Sequence, residues 1–221
     1  MKFFQNRKPA PNEQRIVLSK VNWAKFEALL LEMGEGRSAH LTYDRGALEL
    51  MTPLAEHERS SKLVESLLLL LSDELKQPVL VQRSRLLKRF DLQQAVEPDI
   101  CCFFDPKTSP LSPSAEPTET LPDLIMEVAL THSSLDKLPI YANFAIPEVW
   151  RYLSAGERQP TTRYLRIYHL KNQSYTESDR SLHFPFLTAA TVLQFLDQSD
   201  TFGLMPSLRL LREWLQQQGG G

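Results

Sequence analysis

Apolar residues recur at helical spacing in five stretches of the chain. The first predicted helix runs from an N-cap at Leu18-Ser19 to about Met33 and ends at the glycines that follow. The longest predicted helix spans about residues 56–76, and its apolar stripe repeats every three or four positions. At about 100° per residue, His57 projects onto that stripe, whereas Glu58 lies to its side. Shorter helices are predicted over residues 136–144, 188–196 and 207–216.

The segments between these helices have the alternating or continuous apolar pattern of β-strands. Two short strands flank the hairpin turn signal Asp44-Arg45-Gly46. Residues 96–104 form a near-continuous apolar run, as expected for a strand covered on both faces. The other predicted strands are residues 79–82, 85–90, 123–130, 148–153, 164–169 and 174–177. This order predicts an α/β or α+β domain with a mixed sheet flanked by helices.

The 221 residues suit one domain with a sizeable hydrophobic core. We expect an N-terminal arm over residues 1–16, a single domain over 17–217 and a frayed tail over 218–221. Residues 105–120 are rich in Pro, Ser and Thr and are expected to form a surface loop between two strands. A net charge of −2 argues against a protein that covers nucleic acid through non-specific charge attraction. It is compatible with a small basic cleft.

Several other classes of protein lack support in the sequence. The two cysteines, Cys101 and Cys102, are adjacent in an apolar run, where packing is the expected role, and no CxxC pair indicates a zinc framework. The N-terminus lacks the apolar core of a signal peptide, and no run reaches the length of a membrane span. A reduced, cytoplasmic protein is the default expectation. No Walker A loop, GxGxxG loop or HExxH helix is present.

Two acids stand inside otherwise apolar strands: Asp99 in EPDICCFF and Glu127 in DLIMEVAL. A buried, unpaired carboxylate is costly, so each acid should have a partner or a metal. On adjacent strands the two could share a divalent cation, whereas alternatively each lies at a strand edge or pairs with an arginine or lysine. Lys137 could point back at Glu127 from a helix start and position water or stabilise negative charge. The alternative for Lys137 is an exposed charge in the first helical turn.

One basic cluster follows the longest helix, at Arg83, Arg85, Lys88 and Arg89. In one uninterrupted extended segment, Arg83, Arg85 and Arg89 would share a face and could contact a phosphate backbone. The alternative is a solvated strand face.

The series EPDI, PDLIMEV and DKLPIYANFAIPEVW resembles the Uma-two family, whose members are described as "putative restriction endonucleases" of the PD-(D/E)XK nuclease-like superfamily. GALELMTPLAEHE resembles the strand–helix entry of that family, and the resemblance covers about residues 17–170. It implies a restriction-endonuclease-like fold with a mixed central sheet flanked by helices. It also implies a Mg²⁺- or Mn²⁺-dependent endonuclease that hydrolyses DNA phosphodiester bonds, with a homodimer as the simple way to cut both strands.

The resemblance also implies roles for individual residues. Asp99 and Glu127 match the two acids of the nuclease motif and would hold the metal, aided by the carbonyl of Val128. The superfamily places a lysine two residues after the second acid, where this chain has Ala129. The family supplies a lysine from the following helix instead, and Lys137 matches that position.

Tyr141 matches the family tyrosine one turn after this lysine on the same helix face. The first long helix of the superfamily often adds a ligand or acid, and His57 and Glu58 compete for that role. A competing hypothesis, favoured by Ala129 and by the acidic net charge, is a catalytically inactive nuclease-like protein that binds nucleic acid or a protein partner. A hydrolase of another phosphorylated or acidic small substrate is a third possibility, because fold does not fix substrate.

Overall fold

The computed structural model describes residues 13–34, 36–105, 120–130, 133–153 and 163–218. Most of the expected arm, nearly all of the expected Pro-rich loop and the last three residues of the expected tail lie outside these ranges. Within them the chain forms five helices and eleven strands, and the strands make two sheets. No helix in the described ranges is both long and apolar enough to cross a membrane.

The helices are α1 (Trp23–Met33), α2 (Ala55–Leu75), α3 (Lys137–Asn143), α4 (Ala189–Phe202) and α5 (Leu204–Gln218). The strands are β1 (Gln14–Leu18), β2 (His40–Asp44), β3 (Ala47–Thr52), β4 (Leu80–Arg83), β5 (Leu87–Arg89), β6 (Gln94–Val96), β7 (Ile100–Phe103), β8 (Leu124–Ala129), β9 (Glu148–Leu153), β10 (Tyr164–Lys171) and β11 (Ser174–Ser178).

One sheet is antiparallel and the other is mixed. The five-stranded sheet has the order β1-β3-β2-β6-β5, and all of its pairs are antiparallel. The six-stranded sheet has the order β11-β10-β9-β8-β7-β4, in which β8 and β9 pair in parallel. Helix α3 lies in the crossover that this parallel pair requires. The α/β class with a mixed sheet is thus confirmed, and the chain adds a second sheet.

Helices cover both faces of the mixed sheet. On one face α2, α4 and α5 pack against residues such as Cys102, Met126 and Trp150. On the other face α3 packs against residues such as Cys101 and Ile125. Side chains alternate between the faces of a strand, so the adjacent cysteines enter different cores. Helix α1 packs on the antiparallel sheet in a third cluster.

The predicted strand over residues 96–104 is confirmed only as β7, Ile100–Phe103, because Val96 at its start belongs to β6. Strand β6 belongs to the antiparallel sheet and β7 to the mixed sheet, and Glu97-Pro98-Asp99 crosses between them. Pro98 has no N–H with which to continue a ladder. The Glu97 carboxylate accepts hydrogen bonds from the Leu41 backbone N–H and from Arg37. The crossing places Asp99 at the junction of the two sheets.

Two boundaries near the N-terminus also differ from expectation. Helix α1 is capped by Asn22 rather than by Ser19, since the Asn22 side chain accepts a hydrogen bond of 2.9 Å from the Lys25 N–H. Strand β1 begins at Gln14, within the range expected to form an arm, and pairs with β3. The segment just before and within β1 therefore belongs to the folded domain.

Candidate active site

Glu127 lies on β8, a central strand of the mixed sheet, and contacts two side chains of α3. Its Oε2 accepts a hydrogen bond from Lys137 Nζ at 2.7 Å, and its Oε1 accepts one from the Tyr141 hydroxyl. Lys137 is the first residue of α3, after the N-cap Asp136, and Tyr141 follows one turn later. The structure therefore brings Glu127, Lys137 and Tyr141 together.

The Glu127–Lys137 pair opens onto a cleft. The side chains of Lys137 and Glu127 remain 13% and 10% exposed, and both line a cavity of about 230 Å³. Ala129, at the position of the usual superfamily lysine, lines the same cavity. Burial and the adjacent Glu127 carboxylate raise the pKa of Tyr141 well above its usual value, so this hydroxyl stays protonated and donates.

Asp99 lies behind this cleft and is only 2% exposed. Its Oδ2 accepts a hydrogen bond of 2.6 Å from the Val128 backbone N–H, which is next to Glu127 in the chain. Its Oδ1 lies 2.8 Å from His57 Nε2. His40 Nδ1 lies 3.1 Å from the same oxygen, within ion-pair distance but without the geometry of a hydrogen bond.

His57 lies between two carboxylates at the start of α2. Its Nε2 faces Asp99, and its Nδ1 lies 2.8 Å from Glu13 Oε1. Burial lowers the pKa of His57, but the hydrogen bonds to Asp99 and Glu13 outweigh this effect and raise the pKa to about 10. At neutral pH both ring nitrogens therefore donate.

His40 and His57 together set the protonation state of Asp99. Burial alone would raise the pKa of Asp99, but the contacts with His40 and His57 hold it well below its usual value. Asp99 is therefore ionised at neutral pH.

The geometry also separates the two candidates on the long helix. His57 is fully buried and reaches Asp99, whereas Glu58 accepts a hydrogen bond of 2.6 Å from Arg83 near the surface. Of the two, His57 is the residue that faces the site.

A second layer of charged residues, which the sequence analysis missed, supports the loop between β8 and α3. Arg15 on β1 contacts Glu49 Oε1 at 2.8 Å and Glu13 Oε2 at 3.0 Å. Glu49 also accepts hydrogen bonds from the Ser133 hydroxyl and the Ser134 N–H at 2.7 and 2.8 Å. Glu49 lies in an apolar strand, the same pattern that singled out Asp99 and Glu127, so the sequence held a signal for it. Nothing local marks Glu13 or Arg15.

The predicted basic cluster does not form one extended face. Arg83 ends β4 in the mixed sheet, Ser84 has φ 51°, and β5 begins at Leu87 in the other sheet. Arg83 pairs with Glu58, and Arg89 pairs with Asp91. Arg85 donates to the Gln82 side chain and the Thr120 carbonyl. The assumption of an uninterrupted strand is therefore wrong, and the contact of these arginines with nucleic acid stays a prediction.

The donor set at the junction fits a divalent cation. Ionised Asp99 directly precedes Ile100, which pairs with Met126, the residue before Glu127 on β8, and hard cations prefer carboxylate oxygens as ligands. The buried His40 Nδ1 has no hydrogen-bond partner among the described residues. The possible ligand atoms of His40, His57 and Asp99 lie within 4.8 Å of one another, and His57 would have to lose a proton before it could bind a cation. A cation here would be held by Asp99 and Glu127, with the Val128 carbonyl as a third oxygen ligand.

The mixed sheet and its flanking helices define an α/β protein, with the acid–lysine–tyrosine cluster at β8 and α3 as its candidate site. The sequence model of the Uma2 family, described as "putative restriction endonuclease", matches residues 23–197. The chain belongs to this family, which is the family that the sequence motifs resemble.

Among solved structures, the chain is similar to one titled "a putative nuclease belonging to DUF820 from Anabaena variabilis ATCC 29413". The two share 13% identity over 74% of this chain and 94% of that chain, with a TM-score of 0.45. No curated protein matches the sequence.

Proposed function

We propose that this protein is a Mg²⁺- or Mn²⁺-dependent endonuclease that hydrolyses DNA phosphodiester bonds. The observation that carries the proposal is the 2.7 Å contact between Lys137 Nζ and Glu127 Oε2 in an open cleft. This contact supplies, from a helix, the acid–lysine pair that β8 lacks at Ala129. Membership of the Uma2 family supports the same class of activity.

Each residue has a distinct role in this proposal. Asp99 and Glu127 would hold the cation, which would polarise the phosphate and lower the pKa of a bound water. Lys137 donates from the cleft wall to the attacking water or to the negative charge that develops on the phosphate. Tyr141 orients Glu127 by donating to Oε1, and His57 keeps Asp99 oriented and ionised.

The test compares plasmid cleavage by the wild type, Glu127→Gln and Lys137→Met, with Mg²⁺, with Mn²⁺ and with a chelator. We expect both variants to lose at least ~100-fold in rate, since each removes charge stabilisation from the transition state. Glu74→Gln is the matched control, because Glu74 also forms an ion pair, with Arg212 at 2.6 Å, near the C-terminal end of α2. This variant should cleave like the wild type.

Two outcomes contradict the proposal. Equal cleavage by the wild type and by Glu127→Gln would mean that the activity comes from elsewhere. If the wild type cleaves no plasmid with Mg²⁺ or with Mn²⁺, the proposed reaction does not occur. Asp99→Ala provides a further arm, read together with its melting temperature because Asp99 is buried.

A catalytically inactive, nucleic-acid-binding protein is the second candidate. The observation that favours it is that both oxygens of Asp99 already contact protein donors, His57 and the Val128 N–H. In this case Mn²⁺ should bind no more tightly to the wild type than to Glu127→Gln in calorimetric titrations. Wild-type protein would also bind labelled DNA without cutting it.

Cleavage of both DNA strands requires two active sites, so the proposal includes a homodimer by analogy with other enzymes of this fold. Sedimentation equilibrium of the wild type should give about twice the chain mass of 25.4 kDa. A monomer over the whole concentration range would restrict the enzyme to nicking.

A further inference from the structure

A row of charged residues crosses the mixed sheet beside Glu127. In the parallel β8–β9 pair, Glu127 is the register partner of Arg151, and in the antiparallel β9–β10 pair Arg151 is the partner of Arg166. Residues directly opposite each other project to the same face of a sheet. The two arginines therefore stand one and two strand spacings, ~5 and ~10 Å, from Glu127 on the face that carries it.

This row lines the same cleft as the candidate active site. Lys137, Arg15, Arg151 and Arg166 all contribute to the cavity of about 230 Å³ that Glu127 also lines. Arg15 is compensated by Glu13 and Glu49. Lys137 is compensated by Glu127. The positive charge that remains is that of Arg151 and Arg166.

The protein compensates the charges of Arg151 and Arg166 only in part, and the partners of Arg166 are the Tyr168 hydroxyl and Glu177. Among the described residues, none forms a hydrogen bond or ion pair with the Arg151 side chain. The closest carboxylate oxygen paired with Arg166, Glu177 Oε1, lies 3.8 Å from its Nε, which is longer than a hydrogen bond. Like charges directly opposite each other destabilise a sheet. A ligand of opposite charge would compensate this arrangement.

The Tyr164 ring lies beside the guanidinium of Arg166, whose side chain is 49% exposed. The Arg166 Cζ lies 4.9 Å from the centroid of the Tyr164 ring, and both residues line the cleft. An arginine stacked in this way still presents N–H groups at its edge, and that planar fork matches the oxygens of a phosphate. A preorganised fork loses less conformational entropy when it binds.

We propose that Arg151 and Arg166 form a phosphate-binding subsite for the DNA backbone, and this assignment of the ligand rests on the proposed function above. Arg151 and Arg166 lie one and two strands to the side of Glu127. They would therefore contact the phosphates next to the one that is attacked. The subsite thus positions the strand in the cleft and contributes no group to the chemical step.

The test measures binding of a short fluorescein-labelled DNA duplex by anisotropy in a chelator, which suppresses metal-dependent cleavage. We expect Arg151→Gln and Arg166→Gln each to weaken binding about tenfold, and the double variant about a hundredfold. The slope of log K against log salt should become shallower by about 0.9 for each lost contact. Arg151→Lys keeps the charge, so it should retain the salt slope and lose only part of the affinity.

Thermal unfolding separates binding from a structural role. Removal of one of two opposed like charges should leave the melting temperature unchanged or raise it. Arg212→Gln is the matched control, since Arg212 is a surface arginine of α5 that pairs with Glu74 away from the cleft. It should bind DNA like the wild type. Equal losses in Arg212→Gln, unchanged affinity in the double variant, or melting temperatures that fall in step with affinity would each overturn the subsite.

The same variants distinguish failure of the subsite from failure of the proposed function. If the wild type cleaves plasmid and the double variant binds and cleaves equally well, the subsite is wrong and the nuclease proposal stands. If DNA binding depends on Arg151 and Arg166 but no metal supports cleavage, the subsite stands and the nuclease proposal is wrong.

Discussion

Buried acids are more numerous than the site requires, and only their partners distinguish them. Glu97 accepts from Arg37 and the Leu41 N–H, and Glu148 accepts from the Trp150 indole N–H, so both are satisfied by structural contacts. Asp99 and Glu127 instead contact a histidine and a lysine beside a cleft. An apolar sequence environment reveals that an acid will be buried. It does not reveal the partner, which often comes from a distant part of the chain.

Ala129 provides a direct test of the acid–lysine pair at the scale of one residue. It lies two positions after Glu127 on β8, so both side chains project to the same face, and both line the cleft. We expect Lys137→Met/Ala129→Lys to regain at least ~10-fold of the cleavage rate lost in Lys137→Met, because the new ammonium group can reach Glu127. Initial rates of plasmid nicking measure the recovery.

The control for this rescue is Lys137→Met/Leu153→Lys. Leu153 is the register partner of Ala129 on β9, so its substitution adds the same charge to the cleft one strand farther from Glu127. Equal rescue at both positions would show that the charge of the cleft, and not contact with the acid, supports cleavage.

His57 makes the stability of the metal-free protein depend on pH in a defined direction. Its pKa rises from 6.5 to about 10 on folding, so its contribution is complete below pH 6.5 and is lost as the pH rises through 10. The free energy of unfolding should therefore fall across this interval, by at most ~1.4 kcal/mol per pH unit. Urea unfolding in a chelator measures this slope.

His57→Gln should lower the free energy of unfolding by about 3–5 kcal/mol near pH 6.5. The substitution removes the protonated imidazole that the buried carboxylates of Glu13 and Asp99 share. The variant should also lose most of the pH dependence between pH 6.5 and 10. Parallel pH profiles for the two proteins would mean that His57 is neutral in the folded state.

At the scale of elements, the short helix α3 determines the geometry of the site. It presents Lys137 and Tyr141 on one face toward Glu127, while Ile140 and Phe144 pack into the core beneath the sheet. Pro139 lies in its first turn, where a proline is tolerated because its missing N–H would have no partner within the helix. The helix was predictable because its signals are local, whereas the crossing at Pro98 was missed because strand pairing is set by distant partners.

The N-cap of α3 gives a prediction at this scale. Asp136 accepts a hydrogen bond of 3.2 Å from the Leu138 N–H and begins the helix that carries Lys137. Asp136→Ala should cost about 1 kcal/mol of stability and lower cleavage, because fraying of the first turn displaces the lysine. Asp136→Asn keeps a capping oxygen, so this variant should have the stability and the cleavage rate of the wild type. Urea unfolding measures the stability and plasmid nicking measures the activity. A loss of stability without a loss of activity would show that the N-cap does not position Lys137 for cleavage.

At the scale of the whole molecule, the site joins the two sheets. His57 on α2 connects Glu13, beside β1 of the antiparallel sheet, with Asp99, whose Oδ2 accepts from β8 of the mixed sheet. The periodicity of apolar residues predicted the α/β class and most strands. It did not predict that the strands divide between two sheets, nor that the N-terminal segment supplies site residues, because neither property has a local pattern.

The ion pair of Arg15 with Glu49 links β1 with β3 within the antiparallel sheet, and Glu49 in turn holds the loop that follows β8. Arg15 lies between two buried acids, so Arg15→Met should lower the free energy of unfolding by about 3–5 kcal/mol. In a double-mutant cycle with Glu49→Gln, the two effects should be non-additive by ~0.5–3 kcal/mol. Additive effects in urea unfolding would show that the pair contributes no coupling between β1 and β3.

The delivery of the lysine by α3 changes how such proteins can be recognised. A sequence-motif search for an acid followed two positions later by a lysine does not match this chain at Glu127. The lysine that contacts Glu127 is Lys137, ten positions later in the sequence. A three-dimensional template, defined by an ammonium group within reach of a carboxylate at the end of a β-α-β unit, finds the chain. Length changes between strand and helix then preserve the template while they erase the linear signature. A chain without the strand lysine should therefore not be classified as inactive from its motif alone.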